Sequence, residues 1–348
     1  MSEREGEQIM RVVEMMIFVL LVGFLLTISG CKKNPVEPPP KNPREYSWTV
    51  DTISYPGSWQ TMMQDIYGTS SRSVWIVGHN FLGDGMMYHY DGVAWSPVKL
   101  SFGAIDLAAI TGFGNDDIWV VGIQSLQNRG WVGLILHYDG SLWLEKKVDS
   151  LNRLLSVWGS GPSDVWFGGM EGELLHFDGV SIRPDSVPMV IPKGTNPPWS
   201  FIAGASNSIG NSYVTLAGRP LNTWTYYYTF RHQSTKWTAL DTLIAPPITC
   251  LWFSPWDKLY RGGWGVDLLQ GDTWKNLMQA PLTKGIHGSA EDNIFAVGSG
   301  VYHWNGTDWY SFPNLPFTEF VMWKVWTDGR EVFVVGNDGS KSYVLHGK

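Results

Sequence analysis

Along most of the chain, short apolar runs of four or five residues alternate with brief polar stretches, and the pattern recurs. The stretch Leu154–Ile182 reads LLSVWGSGPSDVWFGGMEGELLHFDGVSI. An apolar run ends in Gly and a polar turn follows. A second run of the Val-Trp-x-Val-Gly kind comes next, then a variable loop. A third run leads to Asp-Gly and, after two more residues, a Trp in most copies. Clear copies begin at Gln64, Leu107, Leu154 and Lys284, drifted ones span Phe201–Trp237 and Thr249–Trp274, and a last begins at Met322. Four short strands in a unit of about forty residues is the grammar of a propeller blade. The expected fold is therefore all-β: a seven-bladed β-propeller of four-stranded antiparallel blades. Runs such as Val74-Trp75-Ile76-Val77 are apolar on consecutive residues, which predicts strands buried on both faces. Asp91-Gly92, Asp139-Gly140, Asp178-Gly179 and Asn305-Gly306 predict hairpins with type I′ turns, which need positive φ at both central residues.

The two ends of the repeat complete each other. The last copy stops at Leu345-His346-Gly347-Lys348, before its fourth strand. Residues 46–54, YSWTVDTIS, form a lone strand ahead of the first copy, with Trp48 in the missing register. This N-terminal strand is expected to complete the last blade and close the ring, leaving no free sheet edge there.

Ahead of the repeats, Met15–Ile28 is an apolar stretch of signal-peptide length, too short for a secure membrane span. It runs into Ile28-Ser29-Gly30-Cys31, which resembles the lipobox of bacterial lipoproteins. The resemblance implies cleavage after Gly30 and lipidation of Cys31, with several acyl chains giving stable membrane attachment. Residues 1–14 are net acidic where signal n-regions are basic, so translation is expected to begin at Met10. Residues 32–43, KKNPVEPPPKNP, carry five prolines and predict a semi-rigid polyproline II spacer. The expected layout is a signal peptide over 1–30, a lipidated Cys and tether over 31–43, and the propeller over 44–348. Lys32 after the Cys favours the outer membrane of a bacterial envelope. The repeats resemble bacterial propellers with (D/N)VWxVG…HYDGxxW blades, distantly akin to Asp-box and WD-type repeats. That resemblance covers residues 46–348 and implies fold more than activity. No unit carries a full Asp-box, so kinship with sialidases is not supported.

Composition narrows the partners. Charged residues are 16% of the 348 and aromatics 14%, with 20 Trp and 39 Gly, a balance suited to a monomeric extracytoplasmic all-β protein. The net charge is −7, of which residues 1–30 contribute −2, so no nucleic-acid partner is expected. The second cysteine, Cys250, sits in an apolar run and reads as a small buried hydrophobe rather than a disulfide partner of Cys31.

His89, His137, His176, His303 and His346 recur once per blade before the hairpin, too far apart around a ring to share a metal, and read as structural. The recurrent Trp95, Trp143, Trp237, Trp274 and Trp309 read as blade packing, and Asp116, Asp117 and Asp164 as turn and cap residues. No catalytic or cofactor motif is present and no cofactor is expected. Function should lie where the repeat breaks its rule, in unequal loops that open on one face: 79–85, 123–133, 184–199 and 219–224. The candidate ligand-binding residues there are Asn80, Asp84, Arg129, Trp131, Arg219, Trp224 and Trp264. The expected function is a non-enzymatic binding or scaffold module for a protein or glycan partner, held to the membrane through the lipid on Cys31. The alternative is a glycan-active enzyme, a hydrolase or glycosyl transferase. It would need two of Asp84, Glu171, Glu173 and Asp267 within about 5–10 Å of each other on one rim.

Overall fold

A computed structural model of the chain describes residues 40–148, 151–189, 199–219, 225–244, 247–317 and 319–348, together with residues 10, 11, 13, 15 and 16. Cys31, the apolar stretch 17–28, the spacer before residue 40 and Trp224 lie outside the described residues. The chain separates into two units, Met1–Pro40 and Lys41–Lys348. The five described residues of the first unit before Pro40 are helical, and among the described residues no helix is long and apolar enough to cross a membrane.

The second unit is built from antiparallel sheets. Among the described residues five have four strands each and one has six. The first sheet shows the plan, running in order through Thr61–Ser70, Ser73–Asn80, Met87–Tyr90 and Trp95–Pro97. The next three begin with inner strands Ile105–Gly114, Leu154–Gly161 and Ser200–Ser206. The six-stranded sheet joins two successive copies of the sequence unit. Its second strand, Leu259–Gln270, pairs through Leu259–Gly262 with Cys250–Phe253 and through its other half with Thr273–Ala290. The far half of Thr273–Ala290 then pairs with Asn293–Gly298. The inner strands contact one another in a closed cycle, from Thr61–Ser70 around to Val321–Thr327 and back.

The predicted closure is observed. Trp48–Ile53 pairs antiparallel with Ser342–Gly347, Trp48 opposite Gly347 and Ile53 opposite Ser342. Trp48 packs edge-on against Phe312, 5.1 Å between ring centroids, so the first strand also holds the preceding sheet.

Consecutive apolar residues are explained by sheet-on-sheet packing. Val74 and Ile76 lie in a core shared with Trp326, Phe333 and Val335 of the last sheet. Trp75 and Val77 face the other way, into a core with Ile110, Ile118 and Val120 of the second. Both sides of each strand are therefore dry, and alternation is lost. The recurrent Gly closing these runs has a steric cause. A Cβ on Gly78, Gly122 or Gly298 would lie 2.0 Å from the carbonyl oxygen of Met62, Asp106 or Leu282 on the inner strand.

Two expectations need correction. The Asp-Gly hairpins are not two-residue I′ turns. Tyr90 pairs with Trp95, leaving a four-residue loop in which Gly92 alone has positive φ, at +94°. Asp91 keeps an ordinary φ because its carboxylate closes the loop, accepting from the N–H groups of Val93 at 2.8 Å and Ala94 at 2.9 Å. Asp139, Asp178 and Asn305 repeat this bond pair. The two-residue turn with both φ positive occurs instead in a drifted copy, at Ser234 and Thr235 between the paired Gln233 and Lys236. Residues 123–133, expected as a loop, mostly extend a ladder. Strands Asp117–Leu126 and Gly130–Tyr138 stay paired out to Leu126 and Gly130, leaving only residues 127–129 as the turn.

Candidate functional site

In four of the sequence copies the turn between the first two strands packs against the hairpin between the last two. The Gly92, Gly140, Gly179 and Gly306 positions abut Arg72, Asp116, Ser163 and Asp292. On the opposite face, the loops between second and third strands bond to the connections that bring the chain in from the previous sheet. Thr61 N donates to Ser340 O at 2.8 Å, Gly133 N to Leu151 O at 2.9 Å and Gly172 N to Trp199 O at 3.1 Å. The irregular loops thus form one face and the regular hairpins the other.

The hairpin face is occupied by structural networks. His137 Nε2 lies 2.8 Å from Asp117 Oδ1, which also accepts from Trp119 Nε1 at 2.8 Å. His176, Asp164 and Trp166 repeat the arrangement at 2.7 and 3.0 Å, with Ser160 donating to the second carboxylate oxygen of Asp164. These imidazoles stack on the neighbouring indoles, with centroids 4.1 and 3.9 Å apart. His346 uses Glu331, His303 uses Asn293 and His89 uses Ser73 at the equivalent places. Asp117 and Asp164 are therefore not turn caps, as their sequence context suggested. They tie third strand to second through His and Trp. Burial pushes the His303 pKa down to about 4, with Arg44 adding to the shift, so its imidazole stays neutral in this network. The recurrent Trp95, Trp143, Trp237, Trp274 and Trp309 pack against the apolar clusters between sheets. Trp274 also carries the Arg261 guanidinium 4.2 Å above its ring. Cys250 is buried between Tyr260, Val266 and Ile286, and burial raises its thiol pKa.

On the loop face the candidate residues are distributed over several sheets. Asn80 is only 2% exposed. Its amide donates to Thr61 Oγ1 at 3.0 Å and its oxygen accepts from Leu82 N at 2.9 Å, so it shapes the loop that carries Asp84. Asp84 is exposed and borders a groove of about 260 Å³ with Tyr55, Pro97 and Lys99. Arg129 and Trp131 stand at the tip of the extended hairpin of the second sheet, Trp131 56% exposed. Arg219 is exposed after Ser212–Gly218 of the fourth sheet. Trp264, 68% exposed, lies within Leu259–Gln270 beside Gly265, whose φ is +104°. Of the carboxylates a glycan-active site would need, Glu173 accepts from Asn152. Asp267 is taken up by Arg261 and Asn276, both at 2.8 Å.

Sequence reasoning missed a contiguous apolar feature on this face. Trp59, 62% exposed, and Phe81, 60% exposed, lie with ring centroids 5.2 Å apart, and Leu82 beside them is exposed too. Gln60 and Ser340 hold the Trp59 segment to the last sheet through Gly339 O and Trp59 O. The signal was available: Trp59 stands in a polar, Gly-containing connection, YPGSWQ, and Phe81-Leu82 in the loop after His79-Asn80, where no strand requires them.

No family model matches the sequence and no curated protein matches it. Solved structures do. YCF48 bound to D1 peptide is 13% identical with a TM-score of 0.59, covering 88% of this chain and 97% of its own. YCF48 from Cyanidioschyzon merolae is 15% identical at the same TM-score, covering 85% and 98%. A chain of the mitotic checkpoint complex is 13% identical with a TM-score of 0.57, covering 91% and 94%. At these identities the likeness is one of fold. Together with the closed cycle of antiparallel sheets, it shows that residues Lys41–Lys348 form a β-propeller.

Proposed function

We propose that this protein is an envelope-anchored propeller that binds a protein partner through its loop face. The observation that carries the reading is the exposed Trp59–Phe81–Leu82 cluster. Aromatic side chains held in contact with each other but open to solvent mark interaction sites, because leaving them wet is costly. Trp is also prominent among residues that dominate binding energy. The similarity to a propeller bound to a peptide supports a protein ligand over a glycan.

Further parts of the reading rest on sequence and connectivity. The six-stranded sheet counts as two blades, giving seven in all. Cys31 carries lipid after removal of residues 1–30 and holds the protein to a bacterial membrane, the outer one by the Lys32 criterion. The chain enters the propeller on the hairpin face: Arg44 bonds to Asp308 at the hairpin of residues 305–308, and Ser47 N donates to Lys348 O.

The test compares the wild-type chain with Trp59→Ser/Phe81→Ser in quantitative cross-linking and co-purification from the native envelope. One protein should be captured by the wild type and lost, at least about tenfold, with the variant, at unchanged melting temperature. Equal capture by both removes the loop cluster from the function. Globomycin-sensitive processing, or its absence, and metabolic palmitate labelling of Cys31→Ser against wild type test the anchor separately.

A further inference from the structure

The innermost strands carry a bulge at one recurring place. Register slips between Met63 and Asp65, Leu107 and Ala109, Leu154 and Ser156, Phe201 and Ala203, Thr283 and Gly285, and Met322 and Lys324. A bulge leaves one residue out of the ladder and re-aims it. Those residues, from Gln64 around to Trp323, bring a pocket of about 180 Å³ into being. Its wall draws on the inner strands of successive sheets around the whole cycle, so it lies on the propeller axis.

The wall has two unlike sides. Ala108, Leu155 and Ile202, from the second, third and fourth sheets, are apolar. Gln64, Asp65, Trp323 and Lys324, from the first and last sheets, are polar or aromatic. Lys284, at the bulge position of the sixth copy, stands beside this wall, its amine 4.0 Å from the centroid of the Trp323 indole. Asp65 is the carboxylate of this wall, and both its oxygens are committed to the main chain. Oδ1 accepts from Ile66 N at 3.0 Å and Oδ2 from Ile110 N at 2.9 Å. Burial raises the Asp65 pKa and the Lys324 charge opposes that, with no ion pair between the two. Among the described residues neither lysine amine has a hydrogen-bond acceptor. The Lys284 pKa is lowered by burial and by the neighbouring Lys324 charge. Two half-buried ammonium groups that repel each other favour an anion beside them.

We propose that the axial pocket binds a small carboxylate that carries an apolar group. The carboxylate lies against Lys324, with Lys284 beside it across Trp323, and the apolar part lies against Leu155 and Ile202. A charge-assisted bond to the Lys324 amine gives the orientation. An apolar wall with a few convergent polar groups is the common composition of a small-molecule site. The proposal is independent of the loop-face partner.

Calorimetry on the full chain tests it with hexanoate as probe, against acetate, 1-hexanol and inorganic phosphate. Hexanoate should bind, with acetate and hexanol each weaker by roughly tenfold or more, since each lacks one half of the recognition. Lys284→Met/Lys324→Met should abolish hexanoate binding in a protein that still unfolds cooperatively, because the ammonium groups are gone and the aliphatic stems remain. Ile202→Thr, a milder change, should weaken hexanoate and leave acetate unaffected. Phosphate binding more tightly than hexanoate, hexanoate binding undiminished in the lysine variants, or no binding to the folded wild type would each overturn the proposal.

Discussion

Acid should destabilise this propeller through His287. The side chain is half-buried on the innermost strand of the sixth sequence copy, where its Nδ1 accepts the Thr327 N–H at 3.2 Å. Burial pushes its pKa from 6.5 down to about 4. A base depressed in this way is held neutral by the fold. Its contribution is intact above pH 6.5 and is lost as pH falls from 6.5 toward 4, where the unfolded chain takes up a proton that the folded chain refuses. At 1.36 kcal/mol per pKa unit, lowering the pH from 7 to 5 removes about 2 kcal/mol through this one residue. Other histidines shift the same way, so the residue is isolated by comparison with His287→Asn, which keeps an acceptor for Thr327 but cannot titrate. Urea unfolding of both proteins at pH 7 and pH 5 gives the measurement. At pH 7 the variant should be the less stable, from lost packing. At pH 5 that gap should shrink by about 2 kcal/mol. A gap of the same size at both pH values refutes the assignment of a neutral His287.

Two further predictions concern the fold. Gly122→Ala forces a Cβ to 2.0 Å from Asp106 O and should cost about 3 kcal/mol or more by urea unfolding, because main-chain atoms on the inner strand have to move. Gly130→Ala, with φ +70° and open space around it, should cost only about 1 kcal/mol, so equal losses would contradict the close approach. Asp164→Ala strands the donors of Trp166 and Ser160 and removes the partner of His176, an expected loss of about 2 kcal/mol seen as a lower melting temperature. An unchanged melting temperature would show that the network is incidental.

The polarity pattern made the architecture legible because a blade is a local object. Its four strands are consecutive in the chain, its hairpins need Gly at positions with positive φ, and its dry faces demand apolar residues in succession. The closure by Trp48 was legible for the same reason: a unit missing at one end and present at the other has one place to go. The turn type was not legible. Asp-Gly is compatible with two hairpin geometries, and the choice fell to the Asp91 carboxylate bonding Val93 and Ala94. The ladder extension through Ser125 and Trp131 was likewise hidden, since residues 123–133 carry no strand alternation.

The functional surfaces divide along the same line. From sequence alone come the repeat, the candidate anchor at Cys31, the side on which irregular loops gather, and the structural role of the recurrent His and Trp. Only tertiary structure decided that Asn80 is buried, that Trp59 meets Phe81 across two loops, and that Trp323, Lys324 and Asp65 share one axial wall with Lys284 beside it. The physical reason is distance along the chain. Lys324 and Asp65 lie in the last and first sequence copies, and only the ring, closed by the pairing of Trp48–Ile53 with Ser342–Gly347, brings their strands side by side.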